Sequence, residues 1–124
     1  MDTRPVVGGM RRFLLLVLAV SVAACASRPE PLYYWDQYEE VIYTNHAKPG
    51  AGDPQRQITT LEKEYQEARG QNAKMPPGWH AHLGYLYFQL GKADQAQQEF
   101  VTEKAQFPES AVFMDRLLAK MKKP

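Results

Sequence analysis

The side chains in this sequence whose types and spacing most suggest chemistry are Cys25 and the pair His80 and His82. The histidines are two residues apart, so on a helix they would point to different sides. No cysteine or carboxylate lies near them in the sequence to complete a metal site. We therefore expect no metal, with His80 in the core and His82 on the solvent side.

An enzyme based on a nucleophile would need a serine or cysteine beside a base. Ser27 falls in a proline-interrupted polar stretch and Ser110 at a predicted helix start. Cys25 belongs to a different pattern, which is described next. The paired carboxylates occur in charged runs at 39–40 and 62–67, which are typical of solvated helix faces. We therefore expect no enzyme activity, no cofactor and no small-molecule substrate.

Cys25 is the single cysteine of the chain and directly follows Val22, Ala23 and Ala24. Before it come two arginines, at 11 and 12, and an uncharged apolar run from residue 13 to residue 20. Basic residues, an apolar run and small residues before a cysteine are the pattern of a lipoprotein signal peptide and its lipobox. This pattern predicts that Cys25 carries a covalent lipid; the alternative is a spare buried thiol.

The lipobox divides the chain into a signal peptide at 1–24, a lipidated tether at 25–31 and a body at 32–124. The apolar run is shorter than the roughly 20 residues that a membrane-crossing helix needs, so we expect it to be removed. Translation could start at Met1 or at Met10. Lipoproteins of Gram-negative bacteria with Asp after the cysteine tend to stay in the inner membrane. Because Ala26 follows here, the resemblance implies the periplasmic face of the outer membrane.

The body shows helical periodicity and no alternation of period two, so we predict an all-α fold. We expect helices over 32–43, from Pro54 to about Gly70, from about Pro77 to Leu90, from about Ala93 to Gln106, and after Ser110. Beyond the cysteine, twelve basic and thirteen acidic residues are interspersed. That balance argues against a nucleic-acid partner.

One segment carries a more specific pattern of small, aromatic and turn-forming residues. Its members are His80, Leu83, Gly84, Tyr87, Gly91, Ala96, Phe100 and Pro108. They resemble a tetratricopeptide repeat, whose pattern is W-x₂-L-G-x₂-Y…A-x₃-F…P. His80 stands where tryptophan is usual, and Glu103 stands where a small alanine is usual, which we expect to weaken the packing. The resemblance implies antiparallel helix pairs, about one and a half to two repeats, with a capping helix at 110–121.

The chain as a whole is similar to the DUF4810 family of short bacterial lipoproteins. The resemblance is carried by the lipobox and by three later segments: PPGWHAHLGY at 76–85, EK at 103–104 and FPES at 107–110. Members of that family accompany lipoproteins similar to the curli-secretion channel protein. The resemblance therefore implies a role in cell-envelope assembly through an envelope protein partner. A regulator of a peptidoglycan-synthesising or peptidoglycan-cleaving enzyme is the alternative.

Two apolar features leave alternatives open. Ala81, Tyr85, Phe88 and Gln89 lie on the side of the third helix that lines the groove of a tetratricopeptide repeat. The chain's own helix at 32–43 could cover this stripe, or the stripe could accept a partner's helix or extended segment. The aromatic residues at 33–35 and 38 could likewise pack as core or lie at the membrane surface.

We predict that Cys25→Ala leaves the precursor uncleaved by the lipoprotein signal peptidase and loosens it from the membrane, because the thiol that would carry the lipid is gone. Palmitate labelling with cell fractionation measures both effects. An unlabelled wild-type protein that is soluble in the periplasm would overturn the lipoprotein assignment.

Overall fold

The computed structural model describes residues 6–24, 30–48, 50 and 52–122. Across these residues the chain is helical and contains no strand, so the predicted all-α fold is confirmed. The helices are α1 (Val6–Ala24), α2 (Gln37–Ala47), α3 (Pro54–Gly70), α4 (Trp79–Gln89), α5 (Ala93–Gln106) and α6 (Ala111–Met121), with a 3₁₀ turn at Pro108–Ser110. Cys25 lies outside the described residues.

The chain divides into two compact units, Met1–Pro31 and Leu32–Pro124. The first contains α1, whose last residue, Ala24, directly precedes Cys25 in the sequence. None of the helices in the described part has the length and apolar character needed to span a membrane. The second unit holds α2 to α6 and the hydrophobic core, and is called the body below.

Local sequence signals account for several helix ends in the body. Asp53 caps α3, since its side chain accepts a hydrogen bond from the backbone of Gln55 at 3.1 Å. Gly78, with φ of 90°, precedes α4, and Gly91, with φ of 71°, permits the reversal between α4 and α5. The expected Ser110 cap is wrong, because its hydroxyl bonds back to the carbonyl of Phe107 instead of to the helix.

The first helix of the body begins later than its periodicity predicts. The pattern predicts a helix over 32–43, whereas α2 spans Gln37–Ala47. The residues before it follow a non-helical path, since the Tyr34 amide donates to the carbonyl of Lys74 at 2.8 Å. A long-range hydrogen bond to the loop after α3 thus replaces the helical bond that the local pattern suggests.

Helix α4 is the centre of the body and lies antiparallel to α5. Its start meets the later part of α5, where Glu103 accepts hydrogen bonds from the amides of Gly78 and Ala81. Farther along, Gly84 is so close to Phe100 that a Cβ added to the glycine would lie 2.7 Å from the ring. Most of the repeat-pattern residues are buried in this pair: His80, Leu83, Gly84, Tyr87, Ala96 and Phe100. Pro108 opens the 3₁₀ turn after α5.

Helix α4 also packs against α3 through a set of aromatic rings. Trp79 is 1% exposed and stacks on Tyr65, with 5.5 Å between ring centroids. His80 meets the edges of both rings. The repeat pattern usually has a tryptophan at the position of His80. In this chain the tryptophan stands one residue earlier, at Trp79, and is buried there.

Two buried glutamates hold the starting turns of α2 and α4. Glu64 of α3 is 1% exposed, and its Oε1 accepts backbone hydrogen bonds from Asp36, Gln37 and Tyr38 at 3.0–3.3 Å. Its Oε2 accepts from Trp79 Nε1 at 3.0 Å. The first amides of a helix have no partner within the helix. A carboxylate there accepts their hydrogen bonds and interacts favourably with the positive end of the helix dipole.

Glu103 of α5 does the same for α4. It is 2% exposed, and its two oxygens accept from the amides of Gly78, at 2.7 Å, and Ala81, at 3.3 Å. Two expectations are therefore wrong. Glu64 is not on a solvated face, and Glu103 does not simply weaken the packing at a position where alanine is usual, because it caps the neighbouring helix.

We predict that Gly84→Leu lowers the free energy of unfolding by about 1–3 kcal/mol, because the side chain has no room beside Phe100. Chemical denaturation of the body measures this change. Gly70→Leu is the matched control, since no atom lies within 4 Å of a Cβ at Gly70. If Gly84→Leu melts as high as the control, this crossing is not a close contact.

We predict that Glu103→Ala, although it restores the residue usual in the repeat, destabilises the body by about 2–3 kcal/mol, because two amides lose a charged acceptor. Denaturant unfolding measures this loss. Gln97→Ala, at an exposed position of the same helix, should be nearly neutral. A Glu103→Ala variant as stable as the wild type would show that the cap contributes nothing.

Candidate partner-binding surface

Helix α4 is buried on most of its circumference and leaves one side open. Tyr85 and Phe88 are each 50% exposed, Gln89 is exposed, and Ala81 is partly buried against the core. We call Ala81, Tyr85, Phe88 and Gln89 the α4 surface. Helix α2, the first helix of the body, therefore leaves this stripe partly open.

A cleft of about 740 Å³ lies between α2 and α4 along this surface. Tyr85, Leu86 and Gln89 line it from α4, while Ile42 and His46 line it from α2. The residues at its wall thus combine apolar side chains with groups that can form hydrogen bonds, which is the usual composition of a binding cleft.

The polar wall of the cleft is held by a reciprocal pair of amides. Asn45 Nδ2 donates to Gln57 Oε1 at 2.7 Å, and Gln57 Nε2 donates to Asn45 Oδ1 at 3.1 Å. Two hydrogen bonds between side chains of α2 and α3 fix both amides in one orientation. The cleft therefore has a preorganised polar wall opposite Tyr85 of α4.

His82 is part of this wall, so its predicted position on the solvent side is wrong. Its Nε2 lies 3.4 Å from Asn45 Nδ2, and its ring packs against Tyr38 with 6.1 Å between centroids. Burial, followed by the nearby His46, lowers the pKa of His82 to about 4. The ring is therefore neutral at neutral pH and can accept the hydrogen bond from Asn45 at Nε2.

A second cluster of polar residues lies on α4 toward α3 and α5. His80 Nδ1 pairs with Glu99 Oε2, and the Tyr87 hydroxyl donates to Glu62. Burial and the contact with Glu62 raise the pKa of Tyr87. Although a histidine beside a carboxylate is a common arrangement for a general base, His80 Nε2 is buried and has no hydrogen-bond partner in the described part of the chain. The free nitrogen of the His80 ring is therefore enclosed by side chains of the body, while Glu99 remains partly exposed.

No group of three or more histidine, cysteine or acidic side chains with the geometry of a metal site occurs among the described residues. His80 and His82 themselves have separate surroundings, one beside Glu99 and the other beside Asn45. The two histidines therefore do not form a joint site in this structure.

Sequence reasoning missed three residues that position the α4 surface: Trp79, Glu64 and Glu103. All three are almost fully buried. The available signal was the departure from the repeat pattern, since a glutamate at a position that usually holds alanine needs buried donors to satisfy it. Glu64 gave a weaker signal, because it is one of three glutamates within six residues of the same helix.

The comparisons with known proteins yield one match. The model of the family described as "Domain of unknown function (DUF4810)" matches residues 32–117. This range begins at the first residue of the body and ends within α6. No curated protein and no solved structure matches the chain.

Proposed function

Because the chain belongs to the DUF4810 family of domains of unknown function, we propose that it is an outer-membrane lipoprotein whose helical body binds another protein of the cell envelope. In this role it serves as an accessory or assembly factor. The lipid on Cys25 holds it at the periplasmic face, and the tetratricopeptide-like body supplies the binding surface. A lipoprotein similar to the curli-secretion channel protein is the partner that the family resemblance suggests.

The observation that carries this proposal is the exposure of Tyr85 and Phe88 on the central helix. Each ring is 50% exposed, although α4 is otherwise surrounded by α2, α3 and α5. Large aromatic side chains at a surface lose little conformational entropy on binding and bury much area, so they are common anchors in protein interfaces. The cleft lined by Tyr85 gives a partner's segment a place to lie.

The anchor and the surface support each other energetically. Several acyl chains hold a protein at a membrane almost irreversibly, since each buried CH₂ contributes about 0.8 kcal/mol. A partner in the same membrane is then encountered at a high effective concentration. A short binding surface with two aromatic anchors is sufficient under these conditions, whereas it would bind weakly in free solution.

We predict that Tyr85→Ala and Phe88→Ala each weaken partner binding by about 2 kcal/mol, because each removes an aromatic anchor. They should leave the melting temperature nearly unchanged, since half of each ring is already in solvent. A photo-crosslinking residue placed at 88 in intact cells should capture an envelope protein. Purification and identification of the adduct then give its identity, and Tyr85→Ala should reduce its yield.

Val101 of α5 provides the control, because it is 49% exposed but lies outside the α4 surface. A crosslinker at 101 should not capture the same protein, and Val101→Ala should not reduce the adduct formed at 88. If positions 88 and 101 give identical adducts, or none, the α4 surface is not a binding site. If both alanine variants unfold the body, the rings belong to the core and the proposal is wrong.

A further inference from the structure

We propose that the body also docks on the phospholipid surface through the end at which the tether joins it. This inference rests on the lipid anchor in the proposed function, and it adds a second contact surface distinct from the α4 surface. We call this end the tether end and define it by Leu32, Tyr33, Trp35 and Lys74, which lie around the buried Phe107.

The contacts of residues 33–35 place these side chains at one end of the helical body. The Tyr34 amide bonds to the carbonyl of Lys74 in the loop after α3. The ring of Tyr33 meets the edge of Phe107, which directly follows α5, at 6.0 Å between centroids. Trp35 stacks on Tyr38, whose hydroxyl lies beside Gly78 before α4. The C-termini of α3 and α5 and the N-termini of α2 and α4 therefore meet here.

The tether end exposes apolar and aromatic surface. Leu32 is 76% exposed and Trp35 is 50% exposed, although both lie in the segment that packs against the ends of α3 and α5. Tryptophan and tyrosine are enriched where lipid headgroups meet acyl chains, because their rings are apolar and carry one polar group. Leu32 and Trp35 are therefore expected to be more stable in the interfacial layer of a membrane than in water.

Cations lie next to this apolar surface. Arg69 and Lys74 are exposed and line a cleft of about 430 Å³ together with Leu32, Tyr33 and Phe107. Within the described ranges, no ion pair joins either cation to a carboxylate. Two acids also lie near Tyr34 at this end, the exposed Asp36 and Glu67, which pairs with Lys63. The buried Glu64 is turned inward to backbone amides. Exposed cations beside aromatic rings are suited to headgroup phosphates.

The short tether keeps the tether end close to the bilayer. Leu32 is seven residues after Cys25, so a fully extended chain places it at most about 25 Å from the lipidated residue. The tether end is therefore held at a high effective concentration next to the bilayer. A contact that is too weak to bind a free protein to membranes is occupied under this constraint.

The two tryptophans make this contact measurable in the mature, lipid-modified protein. Trp35 is half exposed, whereas Trp79 is 1% exposed and bonded to Glu64. The protein is incorporated into vesicles of phosphatidylethanolamine and phosphatidylglycerol with brominated acyl chains, and its emission is compared with that in unbrominated vesicles. We expect bromine to quench the Trp35 emission and to leave the Trp79 emission intact, so that Trp35→Phe abolishes the quenching.

The matched control moves the probe to the other end of α4. Phe88 has the same 50% exposure as Trp35, so Phe88→Trp combined with Trp35→Phe should report an equally exposed ring that lipid does not quench. Equal quenching at both positions, or none at Trp35 in a protein that floats with the vesicles, would overturn the docking while leaving the anchor intact. A mature protein that fails to float would overturn the anchor, and the docking with it.

Discussion

Two buried carboxylates hold the starting turns of α2 and α4, and the position of α4, the central helix, depends on them. Glu64 and Glu103 are each about 2% exposed or less, and a charge removed from water costs several kcal/mol unless it is paired and hydrogen-bonded. Here the compensation comes from the free amides at the N-termini of α2 and α4. Charge-assisted hydrogen bonds and the positive end of the helix dipole act in the same direction.

The carboxylate of Glu64 also connects three helices, which explains why α4 is so nearly enclosed. It lies on α3, caps α2 through Oε1, and accepts from Trp79 of α4 through Oε2. With Trp79 fixed on Tyr65, the register of α4 against α3 is set. The crossing of Gly84 with Phe100 then sets the approach of α5. One side of α4 is left over, and that side carries Tyr85 and Phe88.

Features governed by local physics are predictable from the sequence, and features that depend on distant partners are not. The limits of α3 and α5 follow from Asp53, from Gly91 and from the apolar period. The start of α2 depends instead on the bond from Tyr34 to Lys74, forty residues away. Helical position alone misplaces His82 for the same reason, since Asn45 of another helix fixes its surroundings. The exposure of Tyr85 and Phe88 likewise depends on how α2 packs, so the sequence alone leaves it open.

The two proposed surfaces are related through the length of α4. Gly78, beside the tether end, and Phe88 are ten residues apart, which corresponds to about 15 Å along a helix. A body that rests on lipid through Trp35 therefore presents Phe88 about one helix length from the tether end. With the helix axis along the membrane normal, this separation exceeds the Debye length of about 8 Å at physiological ionic strength, so membrane charge is largely screened at Phe88. Binding there would depend on apolar contact and shape, in agreement with the uncharged side chains that form this surface.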